Sequence, residues 1–261
     1  MRQATGAARM AREEIKLCGL NAVTAQFRAA PDMIERLHFD RILAPQLGEM
    51  CRQLARRRKP YRLTNADELI AIAETVHHGG VVAVIRPPIL KAPTDAELDA
   101  WAAARLPMLL LDRIGNPHNL GAIVRSAAYF GVKKILLSDR REQALPSTAV
   151  YRVAEGGMAY VEIYRSLNMI VDCRTIGDRH TIIGASLDGK PLAKAAEIAR
   201  SRGRPLALLL GNEEDGIAPE LSLLCAVHAT IPGTGMVQSL NVSAAAAILI
   251  HGILTAPVNE R

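Results

Sequence analysis

Three short stretches of the 261-residue chain set polar, acidic or glycine residues against apolar runs: Asp112 to Arg125, Gly211 to Gly216, and Ile231 to Asn241. In the first, "DRIGNPHNLGAIVRSAAYFGV", Asn119 or His118 can cap a helix, and Arg125 lies two turns in, near the face of Gly121 and Ala128. An arginine in a helix otherwise built of Ala, Ile and Val is either a fixed charge at a site or a snorkelling, ion-paired structural residue. Taken alone, the segment favours the structural role. In the second, "LALLLGNEEDGIAPE", five apolar residues run into Gly211, Asn212, Glu213, Glu214, Asp215 and Gly216. Glycines at a strand end permit positive φ and close ligand approach, although an acidic turn before a Pro-containing helix start needs no function. Its acids do exclude a phosphate cradle, which wants amides and a lysine; no GxxxxGK[ST] and no strand-following GxGxxG occurs in the chain. In the third, "IPGTGMVQSLNVSAAAAILIHGILTA", glycines with Ser239, Asn241 and Ser243 form the entrance to an apolar run, Ala244 to Leu254. That entrance offers backbone N–H groups and short side chains to something that must come close. The run itself is broken by His251 and Gly252 and falls short of the roughly 20 residues of a membrane span, so it reads as a buried helix.

The apolar pattern supplies the elements that would hold these stretches. From Gly19, "GLNAVTAQFRAA" reads as a short helix, "IERLHF" as a strand, "PQLGEMCRQLARRR" as a helix and "YRLT" as a strand. "NADELIAIAETVHHG" follows as a helix capped by Asn65, and "GVVAVIRPP" as a strand closed by prolines. These make an alternating α/β unit over residues 14–89. "PPILKAPTDAELDAW", with Pro87, Pro88, Pro93 and its charges, reads as a linker over 90–106. Beyond it "PMLLLDRI", "KKILLSD", "YVEIYR", "HTIIGAS", "PLALLLGNE" and "VHATIPG" are short apolar runs, each followed by a helix-like segment. Strands buried on both faces with helices between them imply a parallel sheet over 107–257. Ligands gather at the carboxyl ends of such strands, where the three stretches lie.

Composition narrows the function classes. Charged residues at 22% and hydrophobic ones at 49% describe a folded protein rather than a disordered one. Aromatics at 3% count against a single-strand nucleic-acid binder that stacks bases, and leave backbone electrostatics as the mode of any such binding. The net charge of +6 sits mostly in front: residues 1–90 carry 14 Lys+Arg against 9 Asp+Glu, the rest 18 against 17. The densest cluster, Arg52, Arg56, Arg57, Arg58, Lys59 and Arg62, suits either a phosphate backbone or a solvated helix end. Cys18, Cys51, Cys173 and Cys225 are scattered without ligand spacing, which argues against a metal site or disulfide framework and fits a reducing cytoplasm. "MRQATGAARMAREEIKL" lacks the apolar core of a secretory signal and reads as a frayed tail.

Taken together, "NLGAIVRSA" at 119–127, "LGNEEDGI" at 210–217 and "IPGTGMVQSLNVSAAAAIL" at 231–249 resemble the SpoU (TrmH-like) RNA 2′-O-ribose methyltransferases of the SPOUT superfamily, in the family's order. The resemblance covers residues 107–256. Residues 14–89, opening with "KLCGLNAV", look like the family's small L30e-like RNA substrate-binding domain. The resemblance implies S-adenosylmethionine as methyl donor, a deep trefoil knot whose loops hold it, structured RNA (tRNA or rRNA) as substrate, and a homodimer with active sites at the subunit interface. No membrane or metal is implied. By match of position, Gly211, Ile231 and Leu240 would line the donor site, and Asn119, Arg125, Glu213, Ser239 and Asn241 match catalytic or site-organising positions. Two departures stand out. Gly233 follows "IP" where the family pattern has Met, and in the strand region before Tyr160, Ala154 and Glu155 replace a more usual Ser-Ala pair.

The implied chemistry makes its own demands. A ribose 2′-OH is a poor nucleophile, so its attack on a sulfonium methyl requires alignment and a group that stabilises the developing alkoxide. Arg125 suits that role. As general base it does not, because a guanidinium is effectively always protonated; a neighbouring phosphate or water can take the proton. A fold that keeps RNA binding without turnover is the alternative, and a nicotinamide enzyme is excluded by the missing glycine fingerprint.

Overall fold

The alternation read from the sequence becomes two sheets in a computed structural model that describes residues 14–255. The N-terminal tail and the final residues, including the expected boundary at 257, lie outside the described residues. Contacts divide the chain into two units, one of residues up to 89 together with 146–160, the other of 90–145 together with the residues from 161 onward.

The first unit contains β1 (Ile15–Cys18), α1 (Leu20–Ala29), β2 (Ile34–Phe39), α2 (Gly48–Arg56), β3 (Tyr61–Leu63), α3 (Ala66–Ala73) and β4 (Val81–Ile85). Its sheet runs β1-β4-β2-β3, with β4 antiparallel to both neighbours and β3 parallel to β2. Asn65 caps α3 as expected, accepting from the Glu68 amide at 2.8 Å. "KLCG" opens with a strand that sequence reading passed over, because four residues are too few to display a period. The side chains of Leu17, Ile34, Leu37, Leu54 and Ile85 fill the core.

A later segment completes this unit. Helix α6 (Thr148–Ala154) and the 3₁₀ turn Gly157–Tyr160 pack here: Tyr151 is buried in the core, and Thr148 Oγ1 accepts from the Lys16 amide at 3.1 Å. The expected strand before Tyr160 is therefore a helix end. Ala154 is its last residue, and Glu155 turns left-handed at φ 45°. The reason is local, since Val150, Tyr151 and Ala154 share one helical face and Ser147 caps the start.

In the second unit the supposed linker contains a helix, α4 (Asp95–Ala103). Thr94 and Glu97 form a reciprocal cap, with Thr94 Oγ1 accepting from the Glu97 amide at 3.2 Å and Glu97 Oε2 from the Thr94 amide at 2.9 Å. Such caps are worth about 1 kcal/mol. Leu98 and Trp101 on α4 are buried with Met108, Leu136 and Tyr164. The T-x-x-E signature was present in the sequence, but the neighbouring prolines outweighed it.

All six expected strands form: β5 (Met108–Leu111), β6 (Lys134–Leu137), β7 (Glu162–Arg165), β8 (Thr181–Pro191), β9 (Leu206–Leu210) and β10 (Val227–Thr230). Every pairing in the order β10-β8-β9-β5-β6-β7 is parallel. Between and after them run α5 (Pro117–Tyr129), α7 (Met169–Gly177), α8 (Leu192–Arg200), α9 (Pro219–Ser222) and α10 (Val242–Leu249), the last continuing as a π-helical turn over Ile250–Leu254. The final helix is not wholly buried. Ala246 and Leu249 face the core, whereas Ala244 and Ile248 are exposed.

Candidate active site

The register of β5 against β9 pairs Leu111 with Leu210, so Asp112 and Gly211 emerge side by side at the carboxyl end of the sheet. The Asp112 amide extends the ladder, donating to Leu210 O at 2.8 Å. After Gly211 the chain folds back on itself. The Asn212 amide donates to Gly216 O at 2.9 Å, the Gly216 amide to Asn212 O at 3.1 Å, and Asn212 Oδ1 accepts from the amides of Glu214 and Asp215. A Cβ on Gly211 would lie 2.2 Å from Gly216 C and Ile217 N. The space that sequence reading reserved beside Gly211 for a ligand is thus filled by the loop's own backbone, and Gly211 is required by that close approach. The turn leaves Glu213 at its exposed tip.

Helix α5 begins two to three positions earlier than expected. Neither Asn119 nor His118 caps it; Asn116 does, accepting from the His118 amide at 2.8 Å, with Pro117 at the first helical position. This leaves the Asn119 amide group available. Its Nδ2 donates to Glu213 Oε1 at 2.5 Å, and its Oδ1 accepts from Asn241 Nδ2 at 3.1 Å. Asn241 in turn caps α10, its Oδ1 accepting from the Ser243 amide at 2.9 Å and from Ser243 Oγ at 2.6 Å. A carboxylate only accepts, so Glu213 fixes which end of the Asn119 amide faces it. That choice dictates the orientation of Asn241. One polar chain, Glu213–Asn119–Asn241–Ser243, therefore ties together the three stretches that stood apart in sequence.

The remaining predicted residues take different positions. Arg125 projects exposed from α5, six residues beyond Asn119 and so about a third of a turn away around the helix. Ile231 leaves the same end of the sheet from the edge strand β10 and is half-buried. Ser239 and Leu240 lie on the exposed segment between β10 and α10. Gly233 lies there too, with nothing within 4 Å of a Cβ placed on it.

Sequence reasoning missed two residues that shape the site. Gln143 is buried and spans the turn before α5, accepting from the Ile114 amide at 3.1 Å and donating to Ile114 O at 3.2 Å. Arg113 adopts φ 58° directly after Asp112 and reaches across to the Gly211–Gly216 loop. Only the Asp-Arg pair at a strand end hinted at it.

Other candidates fall away. A cavity of about 580 Å³ lined by His180, Thr181, Arg202, Arg204 and Cys225 lies at the amino ends of β8 and β9, the opposite end from these strand-end loops. Two polar atoms of its lining residues, His180 Nδ1 and Thr181 Oγ1, are buried and have no hydrogen-bond partner among the described residues. The four cysteines are free, and burial pushes the thiols of Cys173 and Cys225 up to about 12, which keeps them protonated.

Comparison with known proteins matches this architecture. Residues 107–251 match the SpoU rRNA Methylase family, and residues 16–90 match the family described as RNA 2′-O ribose methyltransferase substrate binding. The chain belongs to the SpoU methylase family. It is 34% identical over 242 residues to an Escherichia coli O157:H7 protein named "Uncharacterized tRNA/rRNA methyltransferase YfiF", covering 91% of this chain and 67% of that relative. It is 29% identical to the "23S rRNA (guanosine-2'-O-)-methyltransferase RlmB" of Nitrosomonas europaea, over 89% of this chain and 88% of the relative. Among solved structures, an AdoMet-bound rRNA methyltransferase from Sinorhizobium meliloti superposes with a TM-score of 0.78, covering 96% of this chain and 90% of that one; at 21% identity the likeness is one of fold.

The geometry around Gly211 predicts a sharp contrast between two glycines. Gly211→Ala forces the loop open and should destabilise the protein by about 1–3 kcal/mol, as overpacking does. Gly233→Ala, in open space, should stay within about 0.5 kcal/mol of wild type. Urea denaturation of the two variants checks both values.

Proposed function

We propose that the chain transfers the methyl group of S-adenosylmethionine to a ribose 2′-hydroxyl of tRNA or rRNA. The observation that carries this reading is the polar chain Glu213–Asn119–Asn241, which gathers the three family motifs at the carboxyl ends of a parallel sheet. When bound, the donor supplies an electrophilic sulfonium methyl. The residues present suit such a ligand: Leu240 and Val237 are exposed apolar side chains on the segment between β10 and α10, beside the polar Ser239. In this reading Gly211, Ile231 and Leu240 line the donor site, mostly through backbone, while Ser239 and Asn241 orient donor or ribose.

Arg125 then acts by fixed positive charge on the alkoxide that develops as the 2′-hydroxyl attacks. Glu213 organises the site through Asn119, to which it is bonded. The proton leaves to water or to an RNA phosphate, since a guanidinium does not accept it.

Three further features belong to the same reading. A deep trefoil knot is supported by the strand order, in which the late strands β8 and β9 are inserted between β10 and β5, and by the likeness of fold to SpoU structures. A homodimer is supported by the α10 face that carries Ala244 and Ile248, small and apolar residues left exposed on a helix whose other residues are buried or half-buried. RNA recognition by the first unit, as an L30e-like domain, is supported by its family match and its basic cluster. That cluster is less free than its sequence suggests. Arg52, Arg57, Lys59 and Arg62 are ion-paired with Glu49, Asp32, Glu35 and Glu68, whereas Arg56 and Arg58 make no ion pair among the described residues. A cytoplasmic location follows from the RNA substrate, and no helix among the described residues is long and apolar enough to cross a membrane.

Labelled methyl transfer to total tRNA and to rRNA, followed by mapping of the modified nucleotide, tests the activity. Arg125→Ala should lower turnover on the order of a hundred- to a thousand-fold at nearly unchanged donor affinity, and Arg125→Lys should retain part of it. No transfer to either RNA, with RNA binding intact, would favour a binding protein instead.

Binding of structured RNA across a salt series should show Arg56→Ala with Arg58→Ala reducing the log–log salt slope by about 1–2, while donor affinity stays unchanged. An unaltered slope would leave both as a solvated helix end.

Light scattering should give about twice the chain mass of 28.2 kDa. A monomer at micromolar concentration that still methylates RNA would exclude the interface on α10.

A further inference from the structure

The residue that holds the Gly211–Gly216 loop in place lies outside the three segments that carry the family resemblance. Arg113 directs three different nitrogens at three different acceptors: Nε to Asp112 Oδ2 at 3.2 Å, Nη1 to Asp215 Oδ2 at 3.1 Å, and Nη2 to Gly216 O at 3.1 Å. Its own carbonyl accepts from Asn212 Nδ2 at 3.1 Å, and its amide donates to Ser138 Oγ at 3.2 Å. Five bonds from one residue thus connect the loop after β5 with the loop after β9 and with the end of β6.

The foundation of this arrangement is Asp112, whose side chain is fully buried. Its Oδ2 also accepts from the Ala218 amide at 3.2 Å, just beyond the loop. A buried carboxylate is held only where its charge is compensated, and Asp112 Oδ1 has no hydrogen-bond partner among the described residues, so the carboxylate depends on the cation at Oδ2. The Arg113 side chain is itself only 19% exposed. The backbone pattern agrees, because a non-glycine residue at φ 58° persists only where its surroundings over-determine it. Bonds at Asp112, Asp215, Gly216, Asn212 and Ser138 provide that determination.

We propose that Arg113 is a positioning residue for methyl transfer: its guanidinium fork holds the Gly211–Gly216 loop in the shape that binds the donor and presents Glu213 to Asn119. This rests on the donor site proposed above. The loop's tip, Glu213, is exposed and bonded to Asn119, whereas its base is closed by Arg113 through Gly216 and Asp215. Arg113 sets the loop's shape from below, and the polar chain leading to Asn241 starts from that shape. A lysine cannot replace the fork. Its ammonium is one point charge and cannot span three acceptors on three residues.

Two variants of the full-length chain test the proposal, with S-adenosylmethionine and its demethylated product as calorimetric probes. Arg113→Lys should weaken donor binding about tenfold and also lower turnover at saturating donor, because the same fork presents Glu213 to Asn119. Asp215→Ala removes one arm at a largely exposed residue, so it keeps the fold; it should weaken binding by about two- to fivefold. Hydrogen exchange at the Gly216 amide, which is bonded to Asn212 O, should be accelerated in both variants, and this readout needs no donor. Wild-type donor affinity in both variants would overturn the proposal, as would unchanged Gly216 exchange. A wild-type protein that binds no donor would sink the donor site instead, and Gly216 exchange would still decide whether Arg113 holds the loop. If Arg113→Lys fails to fold, Asp215→Ala decides alone: wild-type affinity and exchange in that variant overturn the proposal.

Discussion

The pairing of β5 with β9 is the constraint on which the site depends. Leu111 and Leu210 are 99 positions apart in the chain, yet parallel hydrogen bonding sets them in register and carries the ladder on to Asp112. A slip of one residue would exchange the buried and opposite faces of both strands, which their unbroken apolar runs make costly in packing but leave unspecified by any alternation. The loops supply what the strands do not. Asp112 and Arg113 on one side, and the Gly211–Gly216 turn and Ala218 on the other, join in bonds that this register brings within reach.

From that point the polarity of the site propagates outward in one direction. Each amide has a donor end and an acceptor end, and a carboxylate at the head of the row removes the freedom to choose. Glu213 therefore orients Asn119, Asn119 orients Asn241, and Asn241 presents its acceptor to the first turn of α10, where unpaired backbone N–H groups await a partner. A helix cap and a site residue are here the same side chain. The start of α10 cannot be altered without disturbing the row.

Most of this architecture could be read from the sequence, and the failures have physical causes. The six runs of the second half were legible because doubly buried strands must be continuously apolar, whereas each of the three polar stretches at their ends admitted a structural reading taken alone and pointed to a site only in combination. The helix α4 was lost to its flanking prolines, although Thr94 and Glu97 announced its start. The role of Gly211 was read as room for a ligand, whereas the structure spends that room on backbone; a sequence gives the need for a missing Cβ but not what replaces it. Arg113 was illegible, because its importance comes from partners about 100 residues away. The mutual bonding of Asn119, Glu213 and Asn241 was likewise beyond reach of spacing, and only the resemblance placed them in one site.

The return of Pro146–Tyr160 to the first unit has a consequence for how the protein is made. Tyr151 belongs to a core whose other main members all precede residue 86, so that core stays open while the ribosome adds about a quarter of the chain, from Ile85 to Tyr151. The sheet of the second unit must wait longer still, since β9 separates β5 from β8 and is synthesised after both. Neither unit can close behind the other as it emerges. The nascent chain therefore exposes the β9-facing edge of β5 for the time taken to translate about 95 further residues, several seconds at typical rates of about 5–20 residues per second. A chaperone that shields parallel, apolar strands would act in that interval, and synonymous codon changes between residues 112 and 205 would alter the yield of folded protein without changing a single side chain.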